Sequence, residues 1–236
     1  MTSKTTPETI SAAWLLYIFA RAPEPGRSKT RLIGRLGAAG AAALHAAMIE
    51  DVLGLSRAVA ARRVLAAADR PDRFHPFLVE MAAREGIPLV AQSEGDLGAR
   101  MAAAIAAGLG EAERVCIIGS DSPALLPAQI AAAFARLDTA DVVLGPAEDG
   151  GYWLIGARRP LGEVLAETAW STPAVLQTTR TRAEQAGLRV ALAELHWDVD
   201  EPTDLERLSR VLAAEPARAP ATRAALLALR VGATRE

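Results

Sequence analysis

Hydrophobic positions along the chain fall into two alternating patterns. Short unbroken apolar runs recur at about 14–20, Val64–Ala68, Ile87–Ala91, Val115–Gly119 and Val142–Gly145, each with the length and turn-residue borders of a buried strand. Between them apolar residues return every three or four positions. Leu44, Met48, Val52 and Leu55 mark a helix over about 38–60, and comparable stretches lie near 73–84, 97–109 and 127–137. Strands alternating with helices form βαβ units, and strands that are apolar at every position are covered on both faces. The pattern predicts an α/β fold with a largely parallel sheet. Beyond Gly150 the alternation loosens into a strand at Tyr152–Ile155, a helix over 173–186, a strand at Leu188–Leu192 and a helix at Thr203–Ala213.

The chain of 236 residues is long enough to bury a full core as one unit, on the order of 70% of its unfolded surface. Residues 1–11 are polar and aperiodic and are expected to be a disordered leader. Residues 12–214 then form a single domain, and the Ala/Arg-rich stretch 215–236 forms a C-terminal helical tail. The apolar run from Ala12 to Ala20 is too short to span a bilayer and is followed by Arg-Ala-Pro-Glu-Pro without a small-residue cleavage site, so it reads as a strand. No other apolar stretch reaches about 18 residues unbroken, and no membrane span is expected.

Charge narrows the partners. With 26 Lys+Arg against 28 Asp+Glu the net charge is −2, which argues against sequence-independent nucleic-acid binding while leaving room for a local basic cluster on a phosphorylated small molecule. Cys116 is the single cysteine, so neither an internal disulfide nor a cysteine-rich zinc site can form, and a reducing, cytoplasmic compartment is expected. It lies within an apolar strand, as inert packing does. His45, His75 and His196 show no metal-ligand spacing, and no Gly-x-Ser-x-Gly elbow occurs.

Ligands of open α/β sheets bind beyond the carboxyl ends of the strands, and four such places carry chemistry-bearing residues. After the first strand, PEPGRSKTRL brings Arg21, Arg27, Lys29 and Arg31 together with Gly26, a set suited to a di- or triphosphate; the alternative is a solvated basic turn. After the third strand comes QSEGDLGARM, with Gln92, Gly98 and Arg100. There Asp96 reads as a helix N-cap, and a glycine in the first turn of an Ala-rich helix marks a close approach. Asp121 follows the buried run ending at Gly119, where a carboxylate can hold a divalent cation; capping before Pro123 competes with that role. The fourth place is split. Glu148-Asp149-Gly150-Gly151 admits backbone close to a ligand or makes a hairpin, and Asp198-Val199-Asp200 in a strand would turn both carboxylates to one side, as shared metal binding requires.

Six segments, FARAPEPGRSKTRL, QSEGDLGARM, IIGSDSPALL, GPAEDGGYWLIG, WSTPAVL and DVDEPTDL, together resemble the bacterial DUF2064 family of GT-A-type transferases, in the family's order and over about residues 14–210. The resemblance implies a Rossmann-like, nucleotide-diphospho-sugar transferase fold: three α/β/α layers around a mixed, mostly parallel sheet. The same superfamily contains nucleotidyltransferases, among them phospholactate guanylyltransferase, whose Lys-Ser-Arg-Leu is similar to Lys29-Thr30-Arg31-Leu32. By position, the resemblance implies Asp121 as the metal-binding acid, Asp200 as a second ligand and Gly26, Lys29 and Arg31 as phosphate contacts. Many glycosyltransferases carry Asp-x-Asp where this chain has Asp121-Ser122-Pro123, so a metal there rests on one carboxylate unless Asp198 or Asp200 reaches it.

The expected activity is metal-dependent transfer from a nucleotide-activated donor. Glycosyl transfer from a nucleotide-diphospho-sugar to a small-molecule acceptor comes first, assisted by Mg²⁺ or Mn²⁺ on Asp121, Asp198 and Asp200. Lys29 and Arg31 would neutralise charge on the departing diphosphate, and Glu148 or Asp149 would take the acceptor's proton. Arg21, Gly26, Gln92, Gly98 and Arg100 complete the expected nucleotide contacts. The alternatives are nucleotidyl transfer from an NTP to a phosphorylated small molecule, releasing pyrophosphate, and a non-catalytic nucleotide-binding domain. Whether the chain forms a homo-oligomer is left open by the sequence.

Overall fold

The computed structural model describes residues 11–69, 72–166, 168–170 and 172–231. Seven strands form one mixed sheet in the order β3-β2-β1-β4-β6-β5-β7. They are β1 (Ser11–Ala20), β2 (Ala61–Ala67), β3 (Leu89–Ala91), β4 (Arg114–Gly119), β5 (Val142–Pro146), β6 (Tyr152–Ala157) and β7 (Val190–Leu192). Strand β1 pairs in parallel with β2 and β4, β2 with β3, and β5 with β7; β6 runs antiparallel to both of its neighbours.

Side chains of a strand alternate between faces, and here both faces are apolar. Leu16, Ile18 and Ala20 point into a core shared with α1 (Ile33–Ser56), α2 (Pro76–Glu85) and α4 (Pro127–Arg136). Leu15 and Tyr17 point the other way, toward α3 (Leu97–Leu109), α5 (Gly162–Leu165) and α6 (Val175–Gln185). This double burial is why the strands read as unbroken apolar runs, and it makes the three-layer α/β/α arrangement. A third cluster joins the remaining face of α1 to α7 (Pro202–Ala214) and α8 (Pro220–Ala228) through Leu44, Met48, Leu208 and Leu226.

Several element limits differ from the sequence reading, each for a local reason. Strand β1 starts at Ser11, which pairs with Ala61, so the segment expected as a leader yields its last residue to the sheet; residues 1–10 lie outside the described residues. Strand β3 is confined to Leu89–Ala91 because Pro88 has no N–H to give the ladder, while its carbonyl accepts from Leu65 N–H. Helix α1 is broken at Gly37 (φ 70°) and ends at Ser56, before the expected 60. By length and composition, the helical stretch Thr30–Ser56 would suffice to cross a membrane. In the fold it is the central helix, with Leu44, Met48, Ile49, Val52 and Leu53 fully buried. The C-terminal helix is shorter than 216–236 and closes on Pro220–Ala228, and residues 232–236 lie outside the described residues.

Helix α8 begins after Ala219, which has no side chain to cap it. The cap comes from across the fold: the buried Asp51 carboxylate on α1 accepts from Ala221 N–H at 3.1 Å and from Thr222 N–H at 2.6 Å. Replacing Asp51 by Ala removes both acceptors and is expected to cost about 2 kcal/mol in urea unfolding. Amide exchange should accelerate first in α8; an unchanged α8 exchange rate would show that the cap is dispensable.

His196 is packed between two indoles, its ring 6.0 Å from those of Trp153 and Trp197. Burial, followed by the nearby Arg207 and Arg218, pushes its imidazole down to about 4 from 6.5. The unfolded chain takes up this proton as pH falls through 6.5 and the folded chain does not until about 4, so the stability contribution is full above 6.5 and lost toward 4. The expected loss between pH 8 and pH 5 is roughly 2 kcal/mol by linkage. Urea unfolding of His196→Phe at both pH values should lack that increment; equal slopes in variant and parent would refute the assignment.

Candidate active site

The parallel strands β1, β2, β3 and β4 all point their carboxyl ends to one edge of the sheet, and the chain that follows each of them lines a cleft of about 590 Å³. Arg21 follows β1, Ala68 follows β2, Gln92 follows β3, and Ser120 and Asp121 follow β4. The segment between β1 and α1 forms the basic wall. Its shape is fixed by the buried Ser28, whose hydroxyl donates to Ala22 C=O and accepts from Glu24 N–H, both at 2.9 Å. Gly26 takes φ 81° at the tip, a conformation open to glycine, but does not line the cleft. Lys29 is left-handed as well (φ 47°), a strained state for a residue with a side chain, held between buried Ser28 and fully buried Leu32.

That turn delivers the Lys29 ammonium to the cleft floor. Only 5% of the side chain is exposed, and Nζ lies 3.0 Å from Asp121 Oδ2 and 2.7 Å from Asp200 Oδ1. Burial works against the charge of Lys29, yet the two carboxylates raise its pKa above the ordinary value. Burial would likewise raise Asp121, but Lys29 and the His45 imidazole, 3.6 Å from Oδ1, hold it well below the usual carboxylate range. Arg31 flanks the group, 3.3 Å from Asp200 and 3.4 Å from Glu201.

The Asp198–Asp204 segment is set by two backbone devices. Val199 N–H donates to Asp121 C=O at 3.0 Å, tying it to the end of β4. The Asp204 carboxylate accepts from Asp200 N–H at 3.0 Å and Glu201 N–H at 2.6 Å, a cap that starts α7 and fixes the Asp200 backbone. Asp200 thus reaches Lys29, while Asp198 lines a second, smaller pocket with Asp149. Burial and the nearby Asp200, Asp149 and Asp121 push the Asp198 carboxyl up to about 6, with Lys29 opposing.

The remaining expected residues divide between cleft and scaffold. Arg21, Gln92 and Arg100 line the cleft; Gln92 donates to Ala66 C=O and Arg100 to Gly95 C=O, each at 2.9 Å. Asp96 caps α3 through Ala99 N–H at 2.8 Å. Gly98 is a packing position: a Cβ there would strike Leu165 C=O and the Trp170 ring at 2.5 Å. Glu148 is held in a two-point ion pair with Arg207 at 2.6 and 2.9 Å, which lowers its pKa, and Arg207 in turn stacks on Trp197. His45 escaped the sequence reading. It sits on the buried face of an Ala-rich helix, where a single polar residue among Leu44, Met48 and Ile49 was the one available signal.

The carboxylates of Asp121 and Asp200 converge on one point, and hard oxygen donors of this kind suit Mg²⁺ or Mn²⁺. Lys29 Nζ stands at that point, and no three metal-ligating side chains converge among the described residues. The pair offers a divalent cation two oxygen donors, with the Lys29 ammonium as its present counter-charge.

The sequence pattern of the uncharacterized protein family conserved in bacteria, DUF2064, matches residues 52–172, just over half of the chain. No curated protein matches. A protein of Desulfovibrio desulfuricans G20, provisionally described as a nucleotide-diphospho-sugar transferase, is 29% identical over 93% of this chain and 97% of its own, with a TM-score of 0.84. CMP:2-keto-3-deoxy-manno-octonic acid synthetase, in a structure with CTP, shares the fold at 16% identity, covering 86% of this chain and 99% of that one (TM-score 0.55). So does the inositol-1-phosphate CTP transferase of T. maritima, at 13% identity over 86% and 96% (TM-score 0.55). The chain belongs to the bacterial DUF2064 family, with the mixed, mostly parallel α/β fold found in nucleotide-sugar and nucleotidyl transferases.

Proposed function

We propose that the protein is a transferase acting on a nucleotide-activated donor, and that the reaction is glycosyl transfer from a nucleotide-diphospho-sugar to a small-molecule acceptor. The observation that carries this reading is the buried Lys29 ammonium on the floor of a cleft also lined by Arg21, Arg27, Arg31 and Arg100. These five cations surround a volume suited to a nucleotide diphosphate. Charge that develops on a departing diphosphate is met there by groups already oriented, without solvent reorganisation. The relative of 29% identity provisionally described as a nucleotide-diphospho-sugar transferase supports the same class.

Asp121 and Asp200 are the residues that would hold Mg²⁺ or Mn²⁺, which when bound would neutralise phosphate oxygens. Arg31 and Lys29 then contact the phosphates from the loop side. Glu148 is committed to Arg207, which leaves Asp149 and Asp198 as the carboxyl groups placed to take an acceptor proton. A second reading, nucleotidyl transfer with release of pyrophosphate, is favoured by the number of arginines on the cleft, since a triphosphate carries more charge than a nucleotide-sugar.

Thermal melts with Mg²⁺ or Mn²⁺ against NTPs and UDP-, GDP-, CDP- and dTDP-sugars test the class. Ligand at about a hundred times its Kd should stabilise by roughly 2.7 kcal/mol, a shift of about 5–10 °C for a chain of this size. Asp121→Asn and Lys29→Met should each abolish the shift, and silence across the panel would refute a nucleotide site. Product analysis separates the two chemistries: the glycosyl reading expects a nucleoside diphosphate from the stabilising donor, and stoichiometric pyrophosphate from an NTP would replace it with the nucleotidyl reading.

A further inference from the structure

A second cavity of about 200 Å³ lies beside the basic cleft and shares Leu97 with it. Its character is opposite. Tyr152, Trp153 and Trp170 line it, the Tyr152 and Trp170 rings in edge contact, together with Asp149 and Asp198, and no Lys, Arg or His is among its described lining residues. Resting on the transferase reading above, we infer that this cavity seats the acceptor, and that the acceptor is a neutral or cationic hydroxylated ring rather than a phosphate ester.

Size, charge and shape converge on that class. The cavity has about a third of the volume of the basic cleft, which suits one small ring with its hydroxyls. Aromatic walls favour a ligand with a C–H face, and the carboxyl groups accept hydrogen bonds from hydroxyl or ammonium donors. A phosphate dianion would enter beside two acids, with no cation among the described lining residues to offset its desolvation. The cavity also opens in the right place, because Asp198 precedes by two residues the Asp200 that grips Lys29 in the cleft.

Its walls are built in advance. Trp170 is fixed edge-on to Tyr152, ring centroids 6.5 Å apart, and lies against Gly98, where no Cβ would fit. Gly150, at φ 88°, lets the Asp149 turn close on the Pro173 backbone, and the Asp149 carboxylate accepts from Gly151 N–H at 2.9 Å. The close approach that Gly98 marks in the sequence thus shapes this cavity rather than the phosphate cleft.

Saturation-transfer NMR on the full chain tests the assignment, with Mg²⁺ and excess inorganic pyrophosphate present to fill the basic cleft. Two matched pairs serve as probes: methyl β-glucoside and glucose 6-phosphate, myo-inositol and inositol 1-phosphate. At least one neutral member should receive saturation on its C–H protons and bind about tenfold more tightly than its phosphate. Trp170→Leu should remove that transfer while pyrophosphate still shifts the melting temperature. Thr172→Arg, which places a cation on the exposed rim, should move the preference about tenfold toward the phosphate and keeps the test open if Trp170→Leu fails to fold. Equal or better binding of the phosphates, no transfer to any neutral member, or transfer unchanged in both variants would each overturn the inference. Neutral probes that bind through Trp170 in a protein no nucleotide stabilises would show a binding cavity and remove its role as acceptor site.

Discussion

One buried ammonium organises the working end of this protein. Lys29 Nζ meets Asp121 and Asp200 at 3.0 and 2.7 Å, and those three residues come from three segments that share no secondary structure. An isolated charge there would be costly to desolvate, so the loop after β1, the end of β4 and the start of α7 are each required to present their member. The local devices follow from that demand: the Ser28 hydrogen bonds, the left-handed backbone of Lys29, the Val199–Asp121 backbone bond and the Asp204 cap. Whatever moves one of these segments moves the charge balance of the cleft.

Around that centre the charges are partitioned in space. Five cations, His45 and the paired Asp121 and Asp200 line the 590 Å³ cleft, whereas Asp149, Asp198 and three aromatic residues line the 200 Å³ cavity without a cation among its described lining residues. The overall charge of −2 conceals this separation completely. The glycosyl transfer proposed above puts the polyanionic donor in the first environment and the acceptor in the second. Here Leu97 and the short Asp198–Asp200 segment stand at the boundary.

Much of this organisation could be read from residue order because it rests on local physics. Apolar runs such as Val115–Ile118 predict strands buried on both faces, and the strand ends point to Arg21, Gln92 and Asp121, which the fold brings to one cleft. Asp96 caps α3 as its position before an Ala-rich helix predicts. Pairings between distant segments gave no such signal. Glu148 and Asp149 are adjacent and look equivalent, yet Arg207 claims one of them and leaves the other on the cavity. His45 shows no ligand spacing in the sequence, and nothing in α1 records that Asp121 lies opposite.

By itself, the sequence determined the α/β class, the residues at the strand ends, the basic loop and the family resemblance, since periodicity, turn chemistry and short motifs act over a few neighbouring positions. Only the tertiary structure decided that Lys29 is bound between Asp121 and Asp200, that Asp198 faces away into a separate cavity, and that Gly98 makes room for Trp170. It likewise decided that the C-terminal helix hangs on Asp51 of α1, about 170 residues earlier in the chain. The physical reason is the same in each case. Burial, ion pairing and close packing depend on distances between segments, and a linear sequence does not state those distances until the sheet has set them.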